Sequence, residues 1–471
     1  MVVSIALYTN LAKLKMIFSA NLTNNRLEIP ADFRNSYEKG NNNLESNDFL
    51  ILKMNNRIVP GFVNIGNDRG RIRKRVRIPK MFFSPGKTDV KILSHIKTKE
   101  SRHDKNRFFA GKKVDLYYAI PNRDIKGSEI GVGMHKKELF LFRPSILKAV
   151  KIKRYIETRC LLEIMGLYQG EGLRNAKRIQ KVQFSNNLPE LINKFLDFFE
   201  TLGLGGEEWK INVGLTGNVD GKRKEKSKRY WLSKTKIPEK NFRGFCYTKT
   251  FGNLHNPMGT CIVIYDSSVL AHVFLSLMRR IEDFIKDEDG AWIFINGLME
   301  ADGSVETKNG FLSEVNIAYD TAQEAKFYRN FIEKYLNIET GVRPNKRIVL
   351  FKKYIDTGDK WDVWYKLVKF NVFRNHCFRR EKLIRGFLKH KKTRIIYKCL
   401  KGLVDDFATT RDIMRTANYN QKTGVIYIMK QLEKQGLVSI VRKKKRLIYR
   451  ITENGKEFLD IYLKNQYAFA K

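Results

Sequence analysis

The sequence predicts an α+β protein built around a duplicated helix–strand–helix unit, and three observations predict it. An apolar helix ending in Gly-acid-Gly or Ala-acid-Gly occurs twice, each time followed by a β-like run and an amphipathic helix. Residues 1–150 carry short apolar runs broken by polar turns, the pattern of a β-rich domain. Residues 391–471 read as three helices, a hairpin and a last helix. The expected boundaries are therefore a β-rich N-terminal domain over 1–150, a first half over 151–286, a second over 287–390 and a C-terminal module over 391–471.

In the N-terminal region Arg26-Leu27-Glu28-Ile29-Pro30 is echoed by Arg75-Val76-Arg77-Ile78-Pro79, and each leads to an apolar run, Phe49–Leu52 and Val90–Leu93. Strand, Ile-Pro, turn and strand given twice describe a small barrel of two similar halves. The pattern resembles the swapped-hairpin barrels of AbrB-type DNA-binding proteins. Met1–Leu14 is apolar but lacks a basic n-region and a small-residue cleavage site, so a first strand or helix is expected there, not a signal peptide. Pro144 to about Arg159 is expected to be a helix leading into the first half.

The duplication rests on spacing. Leu188, Leu191, Ile192, Phe195, Phe199 and Leu202 fall on one helix face with Gly203 as a stop, and Phe327, Phe331, Ile332 and Tyr335 repeat the pattern. The two terminal acids, Glu171 and Asp302, are 131 positions apart, and the following β-like runs align Val182 with Val315 at an offset of 133. A nearly constant offset across unlike elements marks a duplicated domain. The basic insert Gly221–Arg229 is expected to be a mobile loop that meets backbone phosphate.

The repeated motif is Ile164-Met165-Gly166-Leu167-Tyr168-Gln169-Gly170-Glu171-Gly172 and then Ile295-Asn296-Gly297-Leu298-Met299-Glu300-Ala301-Asp302-Gly303. Small residues four apart, Gly166 with Gly170 and Gly297 with Ala301, let two helix backbones approach closely. Gly172 and Gly303 are expected to end these helices at positive φ. Glu171 and Asp302 then lie at helix C-termini, where the macrodipole disfavours an anion. If the helices pair, the acids converge, and a divalent cation would offset their repulsion. Paired carboxylates holding Mg²⁺ or Mn²⁺ suit phosphodiester hydrolysis.

Both copies resemble the nine-residue signature of the LAGLIDADG homing endonucleases, and the repeat covers about half the chain, from Tyr155 to His390. The resemblance implies a monomeric single-chain enzyme with two αββαββα-type halves about a pseudo-twofold axis. It implies sheets lying along the major groove of double-stranded DNA, Glu171 and Asp302 as catalytic metal ligands, Mg²⁺ (or Mn²⁺) as cofactor, 3′ overhangs and a role in intron homing. In that family a basic residue on the sheet assists, for which Lys181, Lys352 and Lys353 are candidates. Gln183 and Asn316, at equivalent repeat positions, are candidates to orient water or read bases; a merely polar sheet face explains them equally well.

Bulk charge agrees with a nucleic-acid partner. There are 90 Lys and Arg against 49 Asp and Glu, a net charge of +41, which a polyanion compensates by counterion release. A 42% hydrophobic content with 31 Phe is ample for packed cores. No run of about 18 apolar residues appears, so no membrane span is expected. The 5 cysteines stand singly without CxxC, which fits a reducing compartment that holds DNA, whether cytoplasm, nucleoid or organelle, and argues against structural zinc.

At the C-terminal end, Thr410 is expected to cap a short helix to Ala417, and Asn420 a second helix ending before Gly436. Val438–Val441 and Leu447–Thr452 alternate as a hairpin tipped by Arg442–Arg446, and Thr452 is expected to cap a last helix over Glu453–Lys464. This is the winged helix-turn-helix plan. Its candidate DNA contacts are Asn420, Gln421, Lys422, Tyr427, Lys443, Lys444 and Lys445. Two other classes share these features: a non-catalytic DNA-binding regulator of LAGLIDADG plus helix-turn-helix type, and an RNA maturase that binds intron RNA. Retention of both acids separates the endonuclease from the regulator; relative affinity for duplex DNA and intron RNA separates it from the maturase.

Overall fold

A computed structural model describes residues 17–469 apart from 24–25, 31–43, 45–47, 55–56, 69–70, 79–85, 97–103, 125–126, 129, 144–145, 174–179, 217–218, 249–256, 309–310, 344–345, 353–360, 404–406 and 444–445. Met1–Leu14, Pro79, Lys353, Lys444 and Lys445 therefore lie outside the described residues. The chain forms two compact units, residues up to Leu161 with Gly172–Phe284, and Leu162–Glu171 with Ile285–Lys471.

The first unit opens with a closed barrel of β1 (Ile17–Thr23), β2 (Arg26–Glu28), β3 (Phe49–Met54), β4 (Arg57–Asp68), β5 (Arg71–Arg77) and β6 (Gly86–Ile96) in the order β1-β2-β5-β4-β3-β6. The two echoed segments pair with each other: Arg26 faces Arg77, Leu27 faces Val76 and Glu28 faces Arg75. Leu27 thus meets its own repeat equivalent. Exchanging β1 with β4, β2 with β5 and β3 with β6 leaves every strand neighbour unchanged, which is the topology of two interleaved halves. Leu27, Leu50, Leu52, Val76 and Val90 fill the barrel.

Two small sheets follow, built from β7 (Phe109–Ala110), β8 (Lys113–Asp115), β9 (Gly131–His135), β10 (Glu138–Arg143), β11 (Ile146–Lys153) and β12 (Tyr155–Glu157). Pro144, where a helix to Arg159 was expected to begin, lies outside the described residues, and the described remainder, 146–159, is mostly strand. Its residues alternate, with Val150 and Ile152 buried and Lys151 and Lys153 exposed, and β11 pairs with β10. Period two wins over helix propensity because β10 offers an apolar edge to complete. Helix α1 begins only at Thr158 and ends at Glu171.

The remainder of the first unit is an α/β layer: β13 (Val182–Asn186), α2 (Pro189–Thr201), β14 (Lys210–Thr216), α3 (Gly221–Lys234), β15 (Phe242–Thr248), β16 (Thr260–Tyr265) and α4 (Ser268–Met278). The strand order is β13-β16-β14-β15. Val182, Phe184, Ile211, Val213 and Val263 on one face are buried, and α2 and α4 pack on this sheet. The basic insert is not a loop. Asp220 caps α3 by accepting from Arg223 N–H at 2.7 Å, Arg229 pairs with Glu225 one turn away at 3.0 Å, and Trp231 is fully buried. One buried aromatic and a cap suffice to order a helix that composition alone reads as a solvated run.

The second unit begins with α5 (Glu288–Asp302) and continues with β17 (Gly303–Lys308), β18 (Phe311–Ala318), α6 (Ala322–Leu336), β19 (Gly341–Arg343), β20 (Arg347–Lys352), α7 (Trp361–Lys369) and α8 (Cys377–Lys389). Its sheet runs β17-β18-β20-β19. The last three of these repeat the β13-β16-β14 order of the first sheet. The bridge Gly172↔Phe184 likewise repeats the pair Gly303↔Ile317. Thr321 and Glu324 form a capping box at the start of α6.

The C-terminal module follows as α9 (Lys391–Lys401), β21 (Ala408–Thr409), α10 (Thr410–Ala417), α11 (Lys422–Lys434), β22 (Val438–Lys443), β23 (Arg446–Ile451) and α12 (Glu453–Phe469). The caps sit one residue off the expected positions. Thr409, not Thr410, caps α10 in a box with Asp412, and Gln421, not Asn420, precedes α11. Thr452 does cap α12, accepting from Gly455 N–H at 3.2 Å, and that helix runs on to Phe469. Helix α12 shares a core with the second half. Phe458 packs on Tyr365 of α7 and Phe387 of α8 at centroid distances of 5.3 and 6.1 Å, and Tyr462 stacks on Tyr397 of α9 at 4.1 Å.

Candidate active site and nucleic-acid interface

The two motif segments, Leu162–Glu171 of α1 and helix α5, pack backbone to backbone. A Cβ added at Gly166 would lie 2.0 Å from Phe294 O and 2.9 Å from Leu298 N. One added at Gly297 would lie 2.1 Å from Glu163 O and 2.8 Å from Leu167 N. Phe294 and Leu298 are the residues 131 positions after Glu163 and Leu167. Each glycine therefore meets the repeat equivalents of the residues that meet the other, the signature of a self-complementary contact about a twofold axis. Gly170 lies against Ala301, its own equivalent: a Cβ there would be 2.4 Å from Ala301 Cβ. All four small residues expected at this seam are used.

The helices run parallel, so their C-terminal ends meet. A Cβ at Gly170 would be 2.8 Å from Asp302 Oδ2, which brings the Asp302 carboxylate beside the residue that precedes Glu171. Both acids are half-buried, and both stand at the negative end of a helix. The expected positive φ is absent: Gly303 has φ −77°, and Gly172 is not among the left-handed glycines. Space explains Gly303 instead, because a Cβ would come within 2.5 Å of Met299 O and 2.9 Å of the Phe373 ring.

Residues 370–380 wrap the end of α5, a part of the site that no sequence motif announces. Glu300, 1% exposed, accepts from Asn375 N–H and Nδ2 at 3.1 and 3.3 Å, while His376 Nε2 lies 2.8 Å from the Glu300 carbonyl. Phe373 is fully buried at φ 63°, a left-handed backbone that costs a bulky residue on the order of 1–3 kcal/mol. Arg379 and Arg380 occupy the first turn of α8, which carries no acid; the dipole disfavours cations there. Burial lowers the pKa of Arg379 from its ordinary value, opposed by the carboxylates of Glu300, Glu171 and Asp302. Burial likewise lowers that of Arg380, opposed by Glu300. Acids at two helix C-termini and arginines at one helix N-terminus are each misplaced for their own helix and matched to one another. Two arginines in a helix's first turn are the signal that could have revealed them.

The acid pair presents hard oxygen donors, two carboxylates, which suit a cation such as Mg²⁺. Among the described residues no three His, Cys, Asp or Glu side chains share such a position. A cation here would therefore rest on Glu171 and Asp302, with water or phosphate oxygens completing its sphere.

The accessory candidates differ in their surroundings. Gln183 and Lys181 are half-buried; Gln183 alternates with Val182 and Phe184, so it lies on the face away from the core. Asn316 is 1% exposed and wired into a polar chain: its Nδ2 donates to Glu314 at 2.8 Å and its Oδ1 accepts from Ser304 at 2.7 Å. Arg343 pairs with Glu314, and Arg347 with Glu306 at 2.8 Å. Lys352 stands opposite Glu314 on β20.

In the C-terminal module Asn420, Gln421 and Lys422 lie at the leading end of α11, all three exposed. This is the end that meets base edges when such a helix enters the major groove. Tyr427, 65% exposed, lines an apolar groove of about 260 Å³ with His390, Ile395 and Ile428. Strands β22 and β23 pair up to Lys443 and Arg446, with Arg442 and Arg446 exposed. Residues 408–455 match the winged helix DNA-binding domain family, a span that covers β21, α10, α11, β22 and β23. The protein binds DNA through this winged helix. No curated protein matches the chain, and among the described residues no helix is long and apolar enough to cross a membrane.

If the winged helix holds phosphate through its exposed cations, replacing Lys422, Arg442 and Arg446 by Gln lowers affinity for all duplexes. The slope of log K against log salt is expected to become shallower by about 0.9 for each phosphate that is no longer neutralised. An unchanged slope in filter-binding titrations would assign these cations to solvent.

Proposed function

We propose that the protein is a monomeric, site-specific, double-strand DNA endonuclease of the LAGLIDADG homing type, aided by its winged helix. The observation that carries this reading is the meeting of Glu171 and Asp302 at the ends of two glycine-paired helices. Two acids at negative helix ends and a partly buried arginine that feels their charge gather charges that each helix end by itself disfavours, an arrangement suited to a charge-based task. Glu171 and Asp302 would hold Mg²⁺ or Mn²⁺, which when bound activates water and stabilises a leaving phosphate oxygen. The chain's own contribution is placement: Gly166 and Gly297 fix the helix ends, and Asn375 and His376 hold the last turn of α5. Arg379 adds a partly desolvated cation toward the acids, a place where a phosphate's negative charge is favoured. The sheet polar face and the net charge of +41 supply the affinity for duplex.

The test is cleavage of a randomised duplex library with Mg²⁺, followed by sequencing of the ends. One recurrent cut motif with 3′ overhangs is expected. Binding without cutting, in either Mg²⁺ or Mn²⁺, would leave a DNA-binding regulator, and stronger binding to intron RNA than to duplex at equal salt would favour a maturase.

A further inference from the structure

Helix α8 links the acid pair to the winged helix without a joint. Its first turn carries Arg379, whose charge is felt by Glu171 and Asp302. Its body lies against β17 and β18, and the approach is close: a Cβ at Gly386 would be 2.7 Å from Leu312 Cβ. Its far end carries Phe387, packed on Phe458 of α12. The junction to α9 is a single residue, His390, between Lys389 and Lys391. The Trp364 ring grips it edge-on at 4.8 Å. Lys369 of α7 and Glu457 of α12 pair at 2.9 Å across the same boundary, and the Tyr365 hydroxyl donates to Asn454 O at 3.4 Å. Mobile modules are joined by polar or Gly-rich linkers that touch little else; here one gripped residue and an aromatic seam replace a linker.

We propose that the acid pair and the winged helix address one duplex as a single rigid body, so that the substrate is a two-part DNA site with an invariant gap. This rests on one part of the proposed function, that DNA lies against the acid pair. Inserting half a turn of DNA, about five base pairs, would carry one of the two attachments to the opposite side of the duplex.

The test uses the full chain and binding alone. Duplexes are selected from a random library in Ca²⁺, and the selected site is mapped by hydroxyl-radical footprinting. Five or ten base pairs are then inserted between the segment protected by the winged helix and the segment at the acid pair. Selected sites are expected to keep one gap length. The five-pair insertion is expected to weaken binding at least ~10-fold, the scale of one or more mismatched base pairs, and the ten-pair insertion to stay weak. A flexible Gly-Ser segment inserted after His390 should relax the gap, and the wild-type insertion series stands if that variant does not fold. Sites with variable gaps, a single recognised block, or unchanged affinity after the five-pair insertion would each overturn the proposal. Because cutting is scored separately in Mg²⁺, a fixed gap without cleavage sinks the nuclease reading and leaves this one standing, and cleavage with a free gap does the reverse.

Discussion

Glu171→Gln and Asp302→Asn are each expected to reduce strand cleavage at least ~100-fold, the scale on which a positioned electrostatic group acts. Both substitutions keep shape and remove one unit of charge, so the helix seam should be undisturbed. Affinity for duplex in Ca²⁺ should barely change, because DNA is bound through the winged helix and the acids are proposed to hold metal. Stability in urea titrations is expected to change little, because the unfavourable place of each acid at a negative helix end is offset by the partly buried Arg379 that feels their charge. Loss of activity without loss of stability is the pattern of a functional charge. If the double variant cuts as the parent does, the two acids have no part in the chemistry.

Gly166→Ala and Gly297→Ala should disable the protein although alanine is the better helix former. Each added methyl would sit about 2 Å from a backbone carbonyl oxygen, Phe294 O or Glu163 O, and backbone cannot rotate aside as a side chain can. Overpacking of this kind costs about 1–3 kcal/mol, and Leu in place of Ala should cost more. Because the acids stand at the ends of these helices, cleavage should fall further than stability alone accounts for. Gly290→Ala, on the same helix as Gly297, is the matched control: its nearest neighbour would be 3.4 Å away, an Asp287 carboxylate oxygen, and helix propensity should make it neutral or slightly stabilising. Melting curves of the three variants, compared with their cleavage rates, test the seam directly. Parent-like melting and cutting by Gly166→Ala and Gly297→Ala would mean that the helices do not pack backbone to backbone.

What is legible in the sequence is whatever depends on spacing. Small residues four apart, the offset of 131 between Glu171 and Asp302, and the helix–helix–hairpin order of the C-terminal module are all periodic signals that survive without neighbours. The misreadings fall where a neighbour decides. Ile146–Lys153 is a strand because β10 stands beside it. Gly221–Lys234 is a helix because Trp231 finds a buried site. The cap of α10 falls on Thr409 and not Thr410 because Asp412 is three residues from the former. Arg379 is invisible to spacing because nothing local ties α8 to a motif about 77 residues earlier. Asn316 shows the same limit in reverse: its repeat position marks it out, but only the structure puts it in a chain with Glu314 and Ser304.

The barrel carries a consequence for how the chain reaches its native state. Of its six seams, only β1-β2 and β4-β5 join strands of the same half; the other four cross between halves. A lone half would expose most of its backbone donors and acceptors to water, so neither half gains much by ordering before the other is synthesised. Closure waits for β6, and until then the edge strands are open to pairing with another molecule. A second copy of one half offers the missing edges as well as the true partner does. Nascent chains interrupted within the barrel should therefore associate in pairs, and the concentration of such fragments, more than the stability of the finished barrel, sets how much of the protein is lost to misassembly.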